Sequence, residues 1–330
     1  MRLPLKHILI GSFLGVLALM SGCNNNDDDG GGEPRPVLYQ FREVAVVEGF
    51  NLRQATGFIG SAEHNAIFVA HREINPNTGF SSERVIRIDL ATGAATSRYF
   101  DREDYVSKRM HIRDDELIVI GGSFFNTYSI DLQDNLTNVR HGLSITRFGS
   151  ALYNDQVYIW GGDINELNSD KIYRWNEDAQ TFDQIGTLPG PTTWAQGEIV
   201  DGRIYIFGGR EEFESQAAHD LIYIHDLESG ITSTQRLPGP VPRTFTVNGD
   251  GVIYVAGQTW DTNPNTEDLD IFFGIYSPGL GLFDEIPTNL SDEGWLSVNA
   301  ITRIEDKLYF LYGNAVSDNA LMSIMEADIP

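Results

Sequence analysis

Six times along this chain a short apolar run ends in a doublet, and that recurrence limits the fold more than any other feature of the sequence. Three copies are plain: LIVIGG ends at Gly122, VYIWGG at Gly162 and IYIFGG at Gly209. Three looser copies flank them: AIFVAH ends at His71, VIYVAG at Gly257 and LYFLYG at Gly313. The first residues of the doublets, Ala70, Gly121, Gly161, Gly208, Ala256 and Tyr312, are 51, 40, 47, 48 and 56 residues apart. A polar turn (AEHN, RDDE, YNDQ, VDGR, GDG or IEDK) precedes each run, as a β-hairpin requires.

Downstream of the doublets comes a second landmark: IDLATG at Ile88, IDLQDN at Ile130, WNEDAQ at Trp175, HDLESG at His225 and YSPGLG at Tyr276. Seven positions after these residues stand Ala95, Thr137, Phe182, Thr232 and Phe283. Each unit therefore holds two hairpins, or four strands. Abundant glycine (33) and 31 Tyr and Phe suit short strands and tight turns. Six such units at this period predict an all-β, six-bladed β-propeller spanning residues 37–330. The last unit stops at MSIMEADIP after three strands. The unpartnered segment VLYQFREVAVVEGF, residues 37–50, is expected to supply its fourth strand and close the ring.

The glycine doublets, the later aromatics and the Leu-Pro exits (Leu188-Pro189 and Leu237-Pro238) resemble kelch repeats, and no Trp-Asp ending of the WD40 kind is present. The resemblance covers nearly the whole chain after residue 36. It extends, at the level of the fold, to the central domain of galactose oxidase and to the sialic acid mutarotases.

The first 22 residues read as an export signal. Arg2 and Lys6 precede an uncharged apolar run from Ile8 to Met20, too short to span a membrane comfortably. Leu19-Met20-Ser21-Gly22-Cys23 resembles the lipoprotein signal, which implies lipidation of Cys23, the sole cysteine. Asn24 after it favours the outer membrane, on its periplasmic or outer face. Residues 23–36, rich in Asn, Asp and Gly, read as a flexible acidic tether.

Forty-seven carboxylates against 23 Lys and Arg give a net charge of −24, which disfavours nucleic acid and anionic lipid as partners. The membrane is expected to hold the chain through the lipid alone, as a monomer. Copper radical chemistry of the galactose oxidase kind needs a Cys-Tyr crosslink, and Cys23 belongs to the signal. The histidines lack metal-ligand spacing, so no metal and no cofactor are expected.

Antiparallel order puts the start of the innermost strand and the doublet at the same mouth of the channel. Arg53, Arg109, Arg147, Trp194, Arg243 and Trp295 lead into the innermost strands; His71, Arg72, Asp163, Arg210, Glu211 and Trp260 stand in or after the doublets. Arginine forks grip carboxylates and hydroxyls, and tryptophan faces stack on sugars. The same arginines also fit a structural role, bonding one blade to the next. Two functions follow. The first is a binding module for a carbohydrate or an envelope protein, through Arg53, Arg72, Arg109, Arg147, Trp194, Arg210, Arg243, Trp260 and Trp295. The alternative is a sugar mutarotase acting on a sugar acid, with Glu211, Arg147 and His71 as the ring-opening groups.

Overall fold

The computed structural model describes residues 39–47, 55–74, 79, 81–100, 108–165, 167–211, 217–260, 269–291, 296–314 and 322–330. Among these every regular element is a strand, and the strands form six antiparallel sheets arranged as a six-bladed propeller.

The first strand, β1 (Arg42–Val47), belongs to the last blade. Blade one follows with β2 (Ala55–Ser61), β3 (Ala66–Ile74), β4 (Ser81–Asp89) and β5 (Ala95–Phe100). Blade two comprises β6 (Arg109–Arg113), β7 (Glu116–Ser129) and β8 (Asn135–Thr146). Blade three comprises β9 (Gly149–Tyr153), β10 (Gln156–Trp160), β13 (Lys171–Asn176) and β14 (Thr181–Thr187); the short β11 (Asp163–Ile164) and β12 (Leu167–Asn168) fall between β10 and β13 in the chain but belong to the sheet of blade two. Blade four is β15 (Gln196–Val200), β16 (Arg203–Phe207), β17 (Leu221–Asp226) and β18 (Thr232–Arg236). Blade five is β19 (Arg243–Asn248), β20 (Ile253–Trp260), β21 (Leu269–Ser277) and β22 (Leu282–Glu285). Blade six is β23 (Leu296–Ile304), β24 (Lys307–Asn314) and β25 (Met322–Asp328), completed by β1 in the order β1-β25-β24-β23.

Local chemistry explains the hairpins. The inner turns of blades three and four place Asn154-Asp155 and Asp201-Gly202 at positive φ, the primed-turn geometry that matches strand twist. The outer pairs keep the seven-residue spacing: Ile88 faces Ala95, Trp175 faces Phe182, His225 faces Thr232 and Tyr276 faces Phe283. Blade two departs from it. Thr137 faces Thr127, after a register shift between Thr127 and Tyr128.

Blade two also fuses its middle strands. A straight strand of 14 residues would span roughly 46 Å. Yet the amide of Ile130 donates to the carbonyl of Asp115 at 2.9 Å, so the ends of β7 meet and it folds back on itself. The fold-back falls at Gly122, whose φ is 58°. The hairpin β11-β12 pairs with the far end of β8, which makes this sheet five-stranded.

The glycine doublets serve close packing. A Cβ on Gly161 would stand 2.3 Å from the Thr192 carbonyl oxygen, and one on Gly162 would stand 2.4 Å from that of Thr146. Both glycines have positive φ (58° and 74°), so a side chain would meet strain as well as collision. The first glycine of the doublet touches the backbone leading into the next blade, and the second touches the backbone leading into its own.

Six apolar clusters each join neighbouring blades. The closure is fastened chemically as well as by pairing. Tyr39 and Phe41 are buried against Phe273 and Phe310, with ring centroids 5.3 Å (Tyr39–Phe273) and 4.2 Å (Phe41–Phe310) apart. The buried Glu326 of β25 accepts from Arg42 Nη2 (2.6 Å), Tyr309 OH (2.7 Å) and Lys307 Nζ (3.0 Å). Burial pushes its carboxyl up, but these three bonds outweigh burial and hold it below the usual glutamate value.

Candidate functional site

The channel at the axis forms a cavity of about 300 Å³ walled by strands of all six blades. Strand register sets the depth of each wall residue. Arg109, Gly149 and Gln196 face Ile120, Trp160 and Phe207, each the last residue before a doublet, so these three share one level. Thr246 faces Val255, just before Ala256, and joins them. Arg243 faces Gln258, three residues nearer the mouth. That is about 10 Å at a strand rise of roughly 3.3 Å per residue. Glu198 faces Tyr205, two residues below Gln196.

The residues leading into the inner strands are therefore not one ring. Arg147 and Trp194 sit at corners above their strands, with φ of 54° and 62°, a conformation that costs a bulky residue energy. Backbone bonds hold them there: Trp194 N donates to Arg147 O (2.8 Å) and Thr244 N to Trp194 O (3.2 Å). Arg210 exchanges two backbone bonds with Thr193 (2.7 and 2.9 Å), which places Arg210 and Glu211 at the same end as Arg147 and Trp194.

Arg243 has the most distinctive surroundings. Its guanidinium carbon lies 4.5 Å from the centre of the Trp194 ring and 4.9 Å from that of Phe245. Its Nε is buried and makes no hydrogen bond. Burial, and secondly the nearby charge of Arg210, lower its pKa to about 10. Arg109 is lowered to about 9 by burial and secondly by Arg243. Both remain cations at neutral pH, so three guanidinium groups crowd one mouth of an acidic protein.

Two of the arginines that lead into inner strands also hold the structure. Arg109 Nε donates to Phe148 O (3.0 Å), a bond from blade two toward blade three that Gln196 Nε2 repeats from blade four (2.9 Å). Arg147 is ion-paired with the buried Asp163, which also accepts from Thr146 Oγ1 at 3.2 Å. Glu211 is exposed. His71 and Arg72 lie in β3 and Trp260 in β20, but their side chains are outside the described residues, as are Arg53, Trp295, Cys23 and most of the two long loops.

Below the arginines the wall carries groups that sequence reasoning passed over. Glu198 is the one carboxyl among the described wall residues. It accepts from Thr246 Oγ1 at 3.0 Å, and burial raises its pKa to about 7 against that bond. His111 Nε2 meets Ser150 Oγ at 2.9 Å; burial, and secondly Arg109, push its pKa down to about 4, so it is neutral at pH 7. One signal was in the sequence: Gln196-Gly197-Glu198 alternates in a strand that the repeat places innermost, where a carboxyl has no outer solvent face.

No protein-family model and no curated protein matches this chain. Among solved structures it is similar to one described as "Structure of YjhT", at 10% sequence identity and a TM-score of 0.57, with 82% of this chain and 94% of the other covered. At that identity the likeness is one of fold.

Proposed function

We propose that this protein is a binding module for a small carboxylated carbohydrate, taken at the arginine-lined mouth of the central channel. One observation carries the reading: the Arg243 guanidinium is held between two aromatic faces, with a buried unbonded Nε, beside two further guanidinium groups. Such a site offers a carboxylate directed hydrogen bonds and charge, and offers a sugar ring an aromatic neighbour in Trp194. A cavity of about 300 Å³ suits a single sugar better than a protein surface.

Saturation-transfer NMR against glucuronate, galacturonate, N-acetylneuraminate and glucose tests this. Transfer to at least one acid and none to glucose is expected; equal transfer to glucose would refute the carboxylate reading. The same spectra report the second reading, sugar mutarotation, through exchange between anomer signals. That reading is favoured by Glu198, which can accept or donate a proton near neutrality. It replaces Glu211, which is exposed, and Arg147, which is engaged by Asp163.

The export and tether reading belongs to the same proposal and rests on residues 1–36 alone. Cells expressing the full chain are expected to incorporate labelled palmitate into it, and Cys23→Ser to abolish the label. Label retained in that variant would refute the tether.

A further inference from the structure

We infer that Glu198 binds the far, uncharged end of this ligand in its protonated form, so that ligand binding takes up a proton. The inference rests on the reading of the mouth as a sugar-acid site. Its geometry comes from the channel. Arg243 stands three residues toward the mouth from Thr246, and Thr246 is bonded to Glu198. The two backbone levels differ by about 10 Å, so a ligand held at the mouth extends down the same wall toward Glu198. A ligand whose carboxylate rests on the guanidinium groups brings its hydroxyls down to Glu198. A protonated carboxyl can both donate to and accept from such hydroxyls, whereas an ionised one only accepts and sets a second negative charge in the cavity that holds the ligand's own.

Burial favours the neutral acid, and it prevails although three arginines line the same cavity. On β15 and its partner β16 the group opposite Glu198 is Tyr205. On β19 it meets Thr246, with Arg243 above; the described wall residues of β9 are Ser150, Ala151 and Leu152. Across the channel stand Arg109 and His111 of β6 and Arg303 of β23, the last paired with the exposed Asp250 at 2.6 Å. Burial is the largest influence on Glu198 and sets its titration near pH 7, whereas His111 titrates near 4, well outside that window. The bound anion adds a second reason for the carboxyl to stay neutral. The sign follows: affinity is greatest below about pH 7 and falls as pH rises through it.

Titration calorimetry of the intact chain with glucuronate, galacturonate and N-acetylneuraminate, at about pH 6.0 and 8.5 and in phosphate and Tris buffers, tests the inference. If only the protonated form binds, affinity drops about thirtyfold between the two pH values, and close to one proton is taken up per ligand at about pH 8. Glu198→Gln preserves the acceptor for Thr246 and supplies a permanent N–H donor. It is expected to fold, to bind at both pH values as the wild type does at pH 6.0, and to exchange no proton. A flat wild-type profile, or a Glu198→Gln variant with the wild-type slope, overturns the proton coupling while leaving the sugar-acid site standing. Absence of binding by all three acids at both pH values overturns the site itself, and the coupling with it.

Discussion

A chain that begins at Glu48, lacking β1, is expected not to fold, whereas one that begins at Val37 is expected to melt as the full chain does. The difference between them is one strand and two aromatic rings. Without β1, β25 loses its outer partner along Arg42–Val47, and the Tyr39 and Phe41 sites against Phe273 and Phe310 stand empty. Deleting a buried aromatic side chain typically costs about 3–5 kcal/mol. Two of them, with a strand's hydrogen bonds and the Arg42 arm of the Glu326 cluster, approach the whole stability of an ordinary domain, about 5–15 kcal/mol. Far-UV circular dichroism and gel filtration decide the matter; a compact Glu48 chain with the parent's melting temperature would show that the ring does not need its closing strand. A peptide of residues 37–50 added in trans is expected to restore compactness. The cluster also predicts an acid limb: Glu326, with its folded pKa held low, stabilises fully above the unfolded glutamate value. That contribution is lost as pH falls through the folded one.

Arg243→Met is expected to lower affinity for a sugar acid about 100-fold, within the range for truncating a buried charged hydrogen-bonding partner. Methionine keeps an apolar stem between Trp194 and Phe245, so the melting temperature should move little. Arg243→Lys keeps the charge but not the fork, and is expected to fall between wild type and Arg243→Met. Calorimetry with the acid that shows the strongest NMR transfer measures both. Unchanged affinity in Arg243→Met would remove Arg243 from the site and leave its stacking as packing alone.

Much of the architecture was legible because a propeller repeats its physics. The doublets marked where backbones collide, the turns marked the inner hairpins, and the seven-residue spacing gave four outer cross-strand pairs directly. Blade two was less legible, since nothing in SFFNTYS announces that β7 turns back without a loop. The site was legible in composition but not in depth. Arg109, Arg147 and Arg243 look alike as residues leading into inner strands; a shift of two or three positions sends one to a blade junction, one to Asp163 and one between two rings. Glu198 was missed because a lone carboxyl in an alternating strand reads as solvent-facing until the ring encloses it.

The sharing of one sheet by both ends of the chain has a kinetic consequence. Arg42 pairs with Glu326 across 284 residues, so this contact orders last if folding follows the cost of closing long loops. During synthesis the five intervening blades can pack in turn, while the β1 segment waits for a partner strand made 284 residues later. Mutations in β1 or β25 should therefore speed unfolding far more than they slow refolding, because the lock they weaken is turned only after the rest of the wheel is built.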